Sequence, residues 1–189
     1  MRNHYWRRFC WLFLLALMFS ACLKAPSGPP TEVSKLDSSD WQNIKQVVRQ
    51  KFPTVRQLST SELAAQLQAT DKPRPILLDA RTPEEYAISH LPQAHNAASA
   101  EQIAAALKNA PKDAPIVAYC AVGYRSSALA EKLRAQGYTN IANLEGSIFQ
   151  WANEGRPVFQ GEKEVHQVHP FDKKWGLLLK QELWSPLPE

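Results

Sequence analysis

The sequence has little cysteine and little glycine, and it lacks a long apolar run. Three cysteines and 7 glycines in 189 residues exclude a disulfide-stapled scaffold and a collagen-like chain. Its longest apolar run, residues 9–19, is 11 residues long, whereas a membrane-spanning helix needs about 20. The hydrophobic content of 44% excludes a wholly disordered chain, and the length suffices for one domain with a sizeable core.

Acidic side chains are missing from the first 21 residues, which carry Arg2, Arg7 and Arg8. Without these three arginines the formal charge of +4 falls to +1, with 19 basic and 18 acidic side chains. A chain so close to neutral gives no electrostatic reason to expect nucleic acid as a partner.

The N-terminal pattern predicts a signal peptide over residues 1–21, because arginines precede a short apolar run. The run leads to Ser20-Ala21-Cys22, and residues 22–37, which are rich in proline, are expected to form a tether. Small residues before a cysteine resemble a bacterial lipoprotein signal, with Phe19 standing where an aliphatic residue is usual. The resemblance implies that Cys22 is lipidated and anchors the protein to a membrane on the periplasmic side of the cell envelope. Simple secretion and an uncleaved anchor are the alternatives.

Removal of the signal and acylation of Cys22 would leave Cys120 as the single thiol of the mature chain. A lone cysteine in an oxidising compartment has no internal disulfide partner, which favours a functional thiol. A buried and inert thiol is the alternative interpretation.

Short apolar runs bounded by breakers predict strands buried on both faces, as in a parallel sheet. They lie at residues 76–80, 116–120 and 141–144, with a further short strand expected near 55–58. Predicted helices alternate with these strands. Each predicted helix has a capping sequence or an apolar face of its own, and they lie at 38–54, after Ser59, after Thr82, at 100–109 and at 126–136. This alternation predicts an α/β fold.

The chemistry is expected at the end of the strand over 116–120. Cys120 ends that strand, and Ala121-Val122-Gly123-Tyr124-Arg125-Ser126 leads straight into a helix. A tight turn into a helix points backbone N–H groups inward, where they bind anions and stabilise a thiolate. Gly123 gives the turn backbone freedom, and Arg125 adds a fixed positive charge. An ionised thiol needs no separate general base.

These residues resemble the rhodanese family. The pattern Cys-x-x-Gly-x-Arg-Ser at 120–126 is similar to its active-site loop, residues 78–96 to its other signature, and residues 137–158 to its closing segment. The resemblance spans residues 55–159 and implies a three-layer α/β fold with a central parallel β-sheet flanked by helices. The chain departs from the family at turn positions that often hold glycine, namely Ser89, Gln93 and Ser147.

The resemblance implies a sulfurtransferase that needs no cofactor and no metal. Cys120 would take the outer sulfur of thiosulfate or of a persulfide, and a thiol or cyanide-like acceptor would then remove it. The amides of residues 121–126 would hold the anionic sulfur, with help from Arg125. Many thiosulfate-using members carry a basic residue where this chain has Val122, which weakens the case for thiosulfate as donor.

Asp79 and Arg81 are candidate supporting residues at the end of the neighbouring strand. One interpretation places Arg81 near the mouth of the site, and the other has the pair fix the turn between strand and helix. His90, Tyr119 and Trp151 are interpreted as structural.

Other functions compete with sulfur transfer. Phosphatases with a Cys–Arg loop place five residues between these two, whereas here there are four, and thioredoxin-like enzymes need a second cysteine where this chain has Gly123. A non-catalytic binding or sulfur-carrier module remains the main alternative. The C-terminal extension, residues 160–189, either folds back on the domain or offers a docking surface to a protein partner or a membrane. His166 and His169 lack the further ligands of a metal site.

We expect radiolabelled fatty acid to be incorporated into the protein in its host, because Cys22 follows the small residues of a lipoprotein signal. Cys22→Ala should abolish the labelling, whereas Cys10→Ala, within the predicted signal, should not. An unlabelled, water-soluble full-length protein would contradict the lipoprotein hypothesis.

Overall fold

The computed structural model describes residues 41–186. Its elements are α1 Trp41–Lys51, β1 Arg56–Leu58, α2 Thr60–Gln68, β2 Ile76–Asp79, α3 Pro83–Ile88, β3 His95–Asn96, α4 Ala100–Ala106, β4 Ile116–Tyr119, α5 Tyr124–Ala135, β5 Ile141–Leu144, α6 Ser147–Asn153, β6 Val158–Gln160, β7 Lys163–Val165 and α7 Lys173–Gly176, followed by a 3-10 helix at Gln181–Leu183. The predicted signal peptide, Cys22 and the tether lie outside the described residues.

The central sheet has five strands in the order β1-β5-β4-β2-β3, and all of its neighbouring pairs are parallel. Every residue of β4 and β5 is buried, which accounts for their mostly apolar sequences, and the one amide among them, Asn143, is hydrogen-bonded. The predicted α/β fold with a central parallel sheet is therefore confirmed. β3 was not predicted because it has only two residues, and apolar periodicity cannot mark so short a strand.

Helices α2, α3 and α4 begin with the same arrangement of hydrogen bonds, the capping box. In each box, the side chain of the residue before the helix accepts a hydrogen bond from the backbone N–H three residues later. The side chain of that later residue accepts a hydrogen bond from the backbone N–H of the first. The pairs are Ser59 with Glu62, Thr82 with Glu85, and Ser99 with Gln102. These local bonds fix where each helix starts relative to the strand before it.

The core consists of two apolar clusters, one on each face of the sheet. One cluster holds residues of α1, α2, α6 and the C-terminal segment, such as Ile44, Leu63, Phe149 and Leu178. The other is built on α4 and α5 and includes Leu133. Sheet and helices thus form three layers, as the family resemblance implies.

The C-terminal segment folds back onto the domain. After the antiparallel pair β6–β7, Leu178 and Leu179 are each only 3% exposed. The side chain of Asn153 holds this segment: its Nδ2 donates to the carbonyl of Leu178 at 2.7 Å, and its Oδ1 accepts the N–H of Lys180 at 2.9 Å. Within residues 41–186, no helix is both long enough and apolar enough to cross a bilayer.

Candidate active site

Cys120 follows β4 directly, and α5 begins four residues later at Tyr124. It is a free cysteine, and the residue is 1% exposed. The loop from Cys120 to Gly123 therefore lies at the carboxyl end of a central strand, where side chains of neighbouring strand ends converge.

The loop is held by the first turn of α6. The N–H groups of Ile148 and Phe149 donate to the carbonyls of Cys120 and Ala121, both at 3.1 Å. The N–H of Cys120 in turn donates to Ser147 Oγ at 3.1 Å. These three bonds connect both polar backbone atoms of Cys120 and the carbonyl of Ala121 to one helix end, so the position of the cysteine is fixed.

Backbone and side-chain donors surround the sulfur. The N–H of Gly123 donates to Cys120 Sγ at 3.1 Å, and Gly123 has φ +111°, a conformation that L side chains rarely adopt. Ser126 also donates hydrogen bonds to this sulfur, from its backbone N–H and from its hydroxyl. That hydroxyl lies 2.6 Å from Asn143 Oδ1, and its single proton can serve only one of these two acceptors at a time.

The pKa of the Cys120 thiol is lowered despite the burial of the residue. Burial raises the pKa of Cys120, but the charge of Arg125 and the hydrogen bonds from Ser126 and Gly123 outweigh it, so the net pKa is lowered. A thiolate in this position is a nucleophile that needs no neighbouring base.

Arg125 forms a two-point ion pair with Glu85. Its Nη1 and Nη2 donate to the two carboxylate oxygens at 2.7 and 2.8 Å, and Glu85 is 2% exposed. Burial raises the pKa of Glu85, yet the hydrogen bond from Arg125 brings it below its ordinary value. The sequence marked Glu85 only as a capping residue, because nothing local shows that it meets a side chain 40 residues away.

A small cavity of about 20 Å³ lies over the sulfur. Its lining comes partly from the loop and partly from the C-terminal segment: Cys120, Ala121, Val122, Tyr124, Arg125, Phe171 and Trp175. The last two were not predicted as site residues, since the aromatic pattern of the extension carries no sign of what it covers.

Comparisons with known proteins bear on this site. The sequence profile of the rhodanese-like domain matches residues 59–154, half of the chain. This chain belongs to the rhodanese-like family. A sulfurtransferase of Allochromatium vinosum is 33% identical over 108 residues, which are 57% of this chain and 98% of that protein.

More distant relatives of this rhodanese-like chain are varied. A tRNA uridine(34) hydroxylase of Erwinia tasmaniensis is 30% identical over 129 residues, and the match covers 63% of this chain and 35% of the hydroxylase. The crystal structure of a thiosulfate sulfurtransferase from Pseudomonas aeruginosa superposes with a TM-score of 0.53 and 21% identity, over 66% of this chain and 23% of that one. The latter likeness concerns the fold alone.

Asp79 and Arg81 form a fully buried ion pair at the end of β2 of this rhodanese-like domain. Arg81 Nη2 donates to Asp79 Oδ2 at 2.7 Å and also to the carbonyl of Ser89, which lies beyond α3. Burial alone would lower the pKa of Arg81, but Asp79 raises it above the ordinary value. The pair joins β2 to the far end of α3, so Arg81 does not lie at the mouth of the site.

His90, Tyr119 and Trp151 also have structural contacts. The ring of His90 stacks on Tyr86 and lines a separate surface cavity of about 790 Å³ that does not include Cys120. The hydroxyl of Tyr119 accepts the N–H of Leu91 at 3.0 Å. Trp151 is 3% exposed, and its indole N–H donates to the carbonyl of Pro157.

Two of the three residues that depart from the family pattern have a left-handed backbone conformation. Gln93 and Ser147 have φ values of 59° and 50°, in the region that favours glycine, whereas Ser89 is extended. Ser147 uses its hydroxyl to accept the N–H of Cys120 and to donate to the carbonyl of Leu144. A glycine in its place could make neither bond.

We expect Arg125→Gln to raise the pKa of Cys120, because it removes the positive charge that favours the thiolate. The pH at which iodoacetamide alkylation of the Cys120 peptide reaches half its maximal rate should move upward. Arg156→Gln is the matched control, since Arg156 pairs with Glu154 instead. If Arg125→Gln left the pH dependence of alkylation unchanged, this account of the thiolate would be contradicted.

Asp79→Asn should destabilise the fold by about 3–5 kcal/mol, because it leaves the Arg81 charge buried without its partner. Chemical denaturation followed by circular dichroism measures the loss. The double variant Asp79→Leu/Arg81→Met, which removes both charges, should recover part of it. A single variant as stable as the wild type would show that the pair is not a structural support.

Proposed function

We propose that this rhodanese-like protein is a sulfurtransferase that accepts a sulfane sulfur on Cys120 as a persulfide and passes it to a thiophilic acceptor. The observation that carries the proposal is the Cys120 sulfur, which lies at the end of a central strand with its pKa lowered by Arg125 and by hydrogen bonds from Ser126 and Gly123. The sulfurtransferase relative, which the chain covers almost in full, supports the same chemistry.

The reaction has two half-reactions. The Cys120 thiolate attacks the outer sulfur of the donor, a new S–S bond forms, and the donor's own S–S bond breaks so that its electron pair departs with the leaving group. An acceptor thiolate or cyanide then attacks the outer sulfur of the persulfide, and the Cys120 thiolate leaves. The N–H of Gly123 and the donors of Ser126, which stabilise the thiolate at the start, also receive it at the end.

A sulfur-carrier module without meaningful turnover is the second candidate. Cys120 is 1% exposed, and the cavity above it holds about 20 Å³. Room for roughly one water-sized atom suits a stored sulfur better than rapid exchange with bulky substrates.

We further propose that the protein acts at the cell envelope, attached to a membrane through lipid on Cys22. The support is the sequence alone: the basic start, the apolar run and Ser20-Ala21-Cys22. A tether over residues 22–37 would let the domain meet its donor and acceptor close to the membrane surface.

Mass spectrometry of the Cys120 peptide tests the proposed function. After incubation with an organic hydropersulfide, inorganic polysulfide or thiosulfate, the wild-type peptide should gain the mass of one sulfur atom, and added cyanide should remove it as thiocyanate. Cys120→Ser is the matched control, because it keeps the size of the side chain but loses the nucleophile. Loading without catalytic transfer would favour the carrier, and no loading of the folded, reduced protein by any of the three donors would overturn both candidates.

A further inference from the structure

Phe171 and Trp175, from the C-terminal segment, form a roof over Cys120. Both line the cavity above the sulfur, and both lie outside residues 59–154, which match the rhodanese-like profile. Trp175 is 8% exposed and belongs to the main core cluster, whereas Phe171 is half-buried at the mouth, with its ring centroid 5.0 Å from the guanidinium carbon of Arg125.

The roof is attached firmly to the domain. Asp172 caps α7 by accepting the N–H of Trp175 at 2.7 Å. Gly176 lies so close to Trp184 that a Cβ there would come within 2.6 Å of the indole ring. Together with the two bonds from Asn153, these contacts make the roof a fixed wall of the site.

The cavity beneath the roof accommodates one transferred atom. Its volume of about 20 Å³ is enough for roughly one water molecule, and thus for one sulfur atom bound to Cys120 Sγ. The rest of a donor must therefore lie at the mouth, against Phe171.

Charge around the cavity disfavours an anionic donor. Arg125 is the one charged residue in its lining, and its guanidinium is already paired at two points with Glu85. Val122 adds no charge. A donor dianion would approach a thiolate past the apolar side chains of Val122, Phe171 and Trp175, and the one cation of the cavity lining, Arg125, is already paired with Glu85. Such burial of charge is costly.

We propose that Phe171 and Trp175 determine donor specificity: they exclude small sulfur oxyanions such as thiosulfate and select sulfane sulfur carried on an uncharged, apolar organic group. The inference rests on the proposed function and names its substrate class. With a hydropersulfide in its neutral, protonated form R–S–SH, the Cys120 thiolate bonds to the terminal sulfur and the donor's S–S bond breaks. The electron pair and the terminal proton go to the R–S fragment, which leaves as the thiol R–SH.

Alkylation with two reagents of equal shape and different charge tests the roof independently of sulfur transfer. Iodoacetamide is neutral and iodoacetate is an anion, and their rates are read on the Cys120 peptide of the full-length protein. Wild type should favour iodoacetamide more strongly than free cysteine does. Phe171→Ala should raise the iodoacetate rate by about tenfold relative to the iodoacetamide rate. Trp175→Phe, which keeps an aromatic core residue, should change the ratio in the same direction.

Leu177→Ala is the matched control, because Leu177 lies in the same segment and is 64% exposed. It should leave the ratio unchanged. Equal acceleration of both reagents by Phe171→Ala would overturn the inference, since the roof would then be a steric cover without charge selectivity. An unchanged ratio in both roof variants would overturn it as well.

Sulfur loading separates this inference from the proposed function. Benzyl hydropersulfide should load Cys120 of the wild type faster than thiosulfate does, and Phe171→Ala should narrow that difference. Faster loading by thiosulfate in the wild type would overturn donor selection while leaving sulfur transfer intact. If neither donor loads any variant although the alkylation ratios shift, the proposed function fails, and with it the substrate class.

Discussion

The stabilisation of negative charge on the buried Cys120 sulfur, at the carboxyl end of β4, is the constraint on which the site depends. Burial of an anion is costly unless dipoles and charges compensate it. Here the compensation comes from Arg125 and from the donors of Gly123 and Ser126. These groups keep their places because the first turn of α6 holds the loop carbonyls and Ser147 holds the N–H of Cys120. The parallel sheet supplies the frame, since it brings the end of β4 and the start of α6 together.

The C-terminal segment changes what a rhodanese-like loop of this kind can meet. Its leucines complete the core on one face of the sheet, and its two aromatic rings close the space above the sulfur. Glu85 contributes in a different way, because it pairs with Arg125 while also capping α3. The site therefore combines a lowered thiol pKa with a largely apolar cavity lining, whose one cation, Arg125, is also paired with Glu85. In the specificity that we propose, such a lining favours the transfer of sulfur between poorly solvated thiol groups over the binding of hydrated anions.

Much of the fold could be predicted because it depends on local pattern. Continuous apolar runs marked the buried strands, and the capping sequences at Ser59 and Thr82 marked helix starts. The position of the loop after Cys120, between strand and helix, could also be predicted, because β4 ends at Tyr119 and α5 begins at Tyr124. The partners that act across the fold could not be predicted: Glu85 reaches Arg125 from α3, and Phe171 reaches the cavity from a segment with no sheet pattern. The sequence left two interpretations of Arg81 open, at the mouth of the site or in a structural pair. Its complete burial beside Asp79 favours the structural pair.

The sulfur state of Cys120 in the native host is the most direct test of the central claim that this thiolate carries sulfur. The protein would be purified without reductant, its persulfides trapped by alkylation, and the Cys120 peptide examined by mass spectrometry. The account predicts that a measurable share of this peptide carries one additional sulfur and that reductant removes it. A Cys120 that is only ever a bare thiol, in cells supplied with sulfane sulfur, would contradict the account.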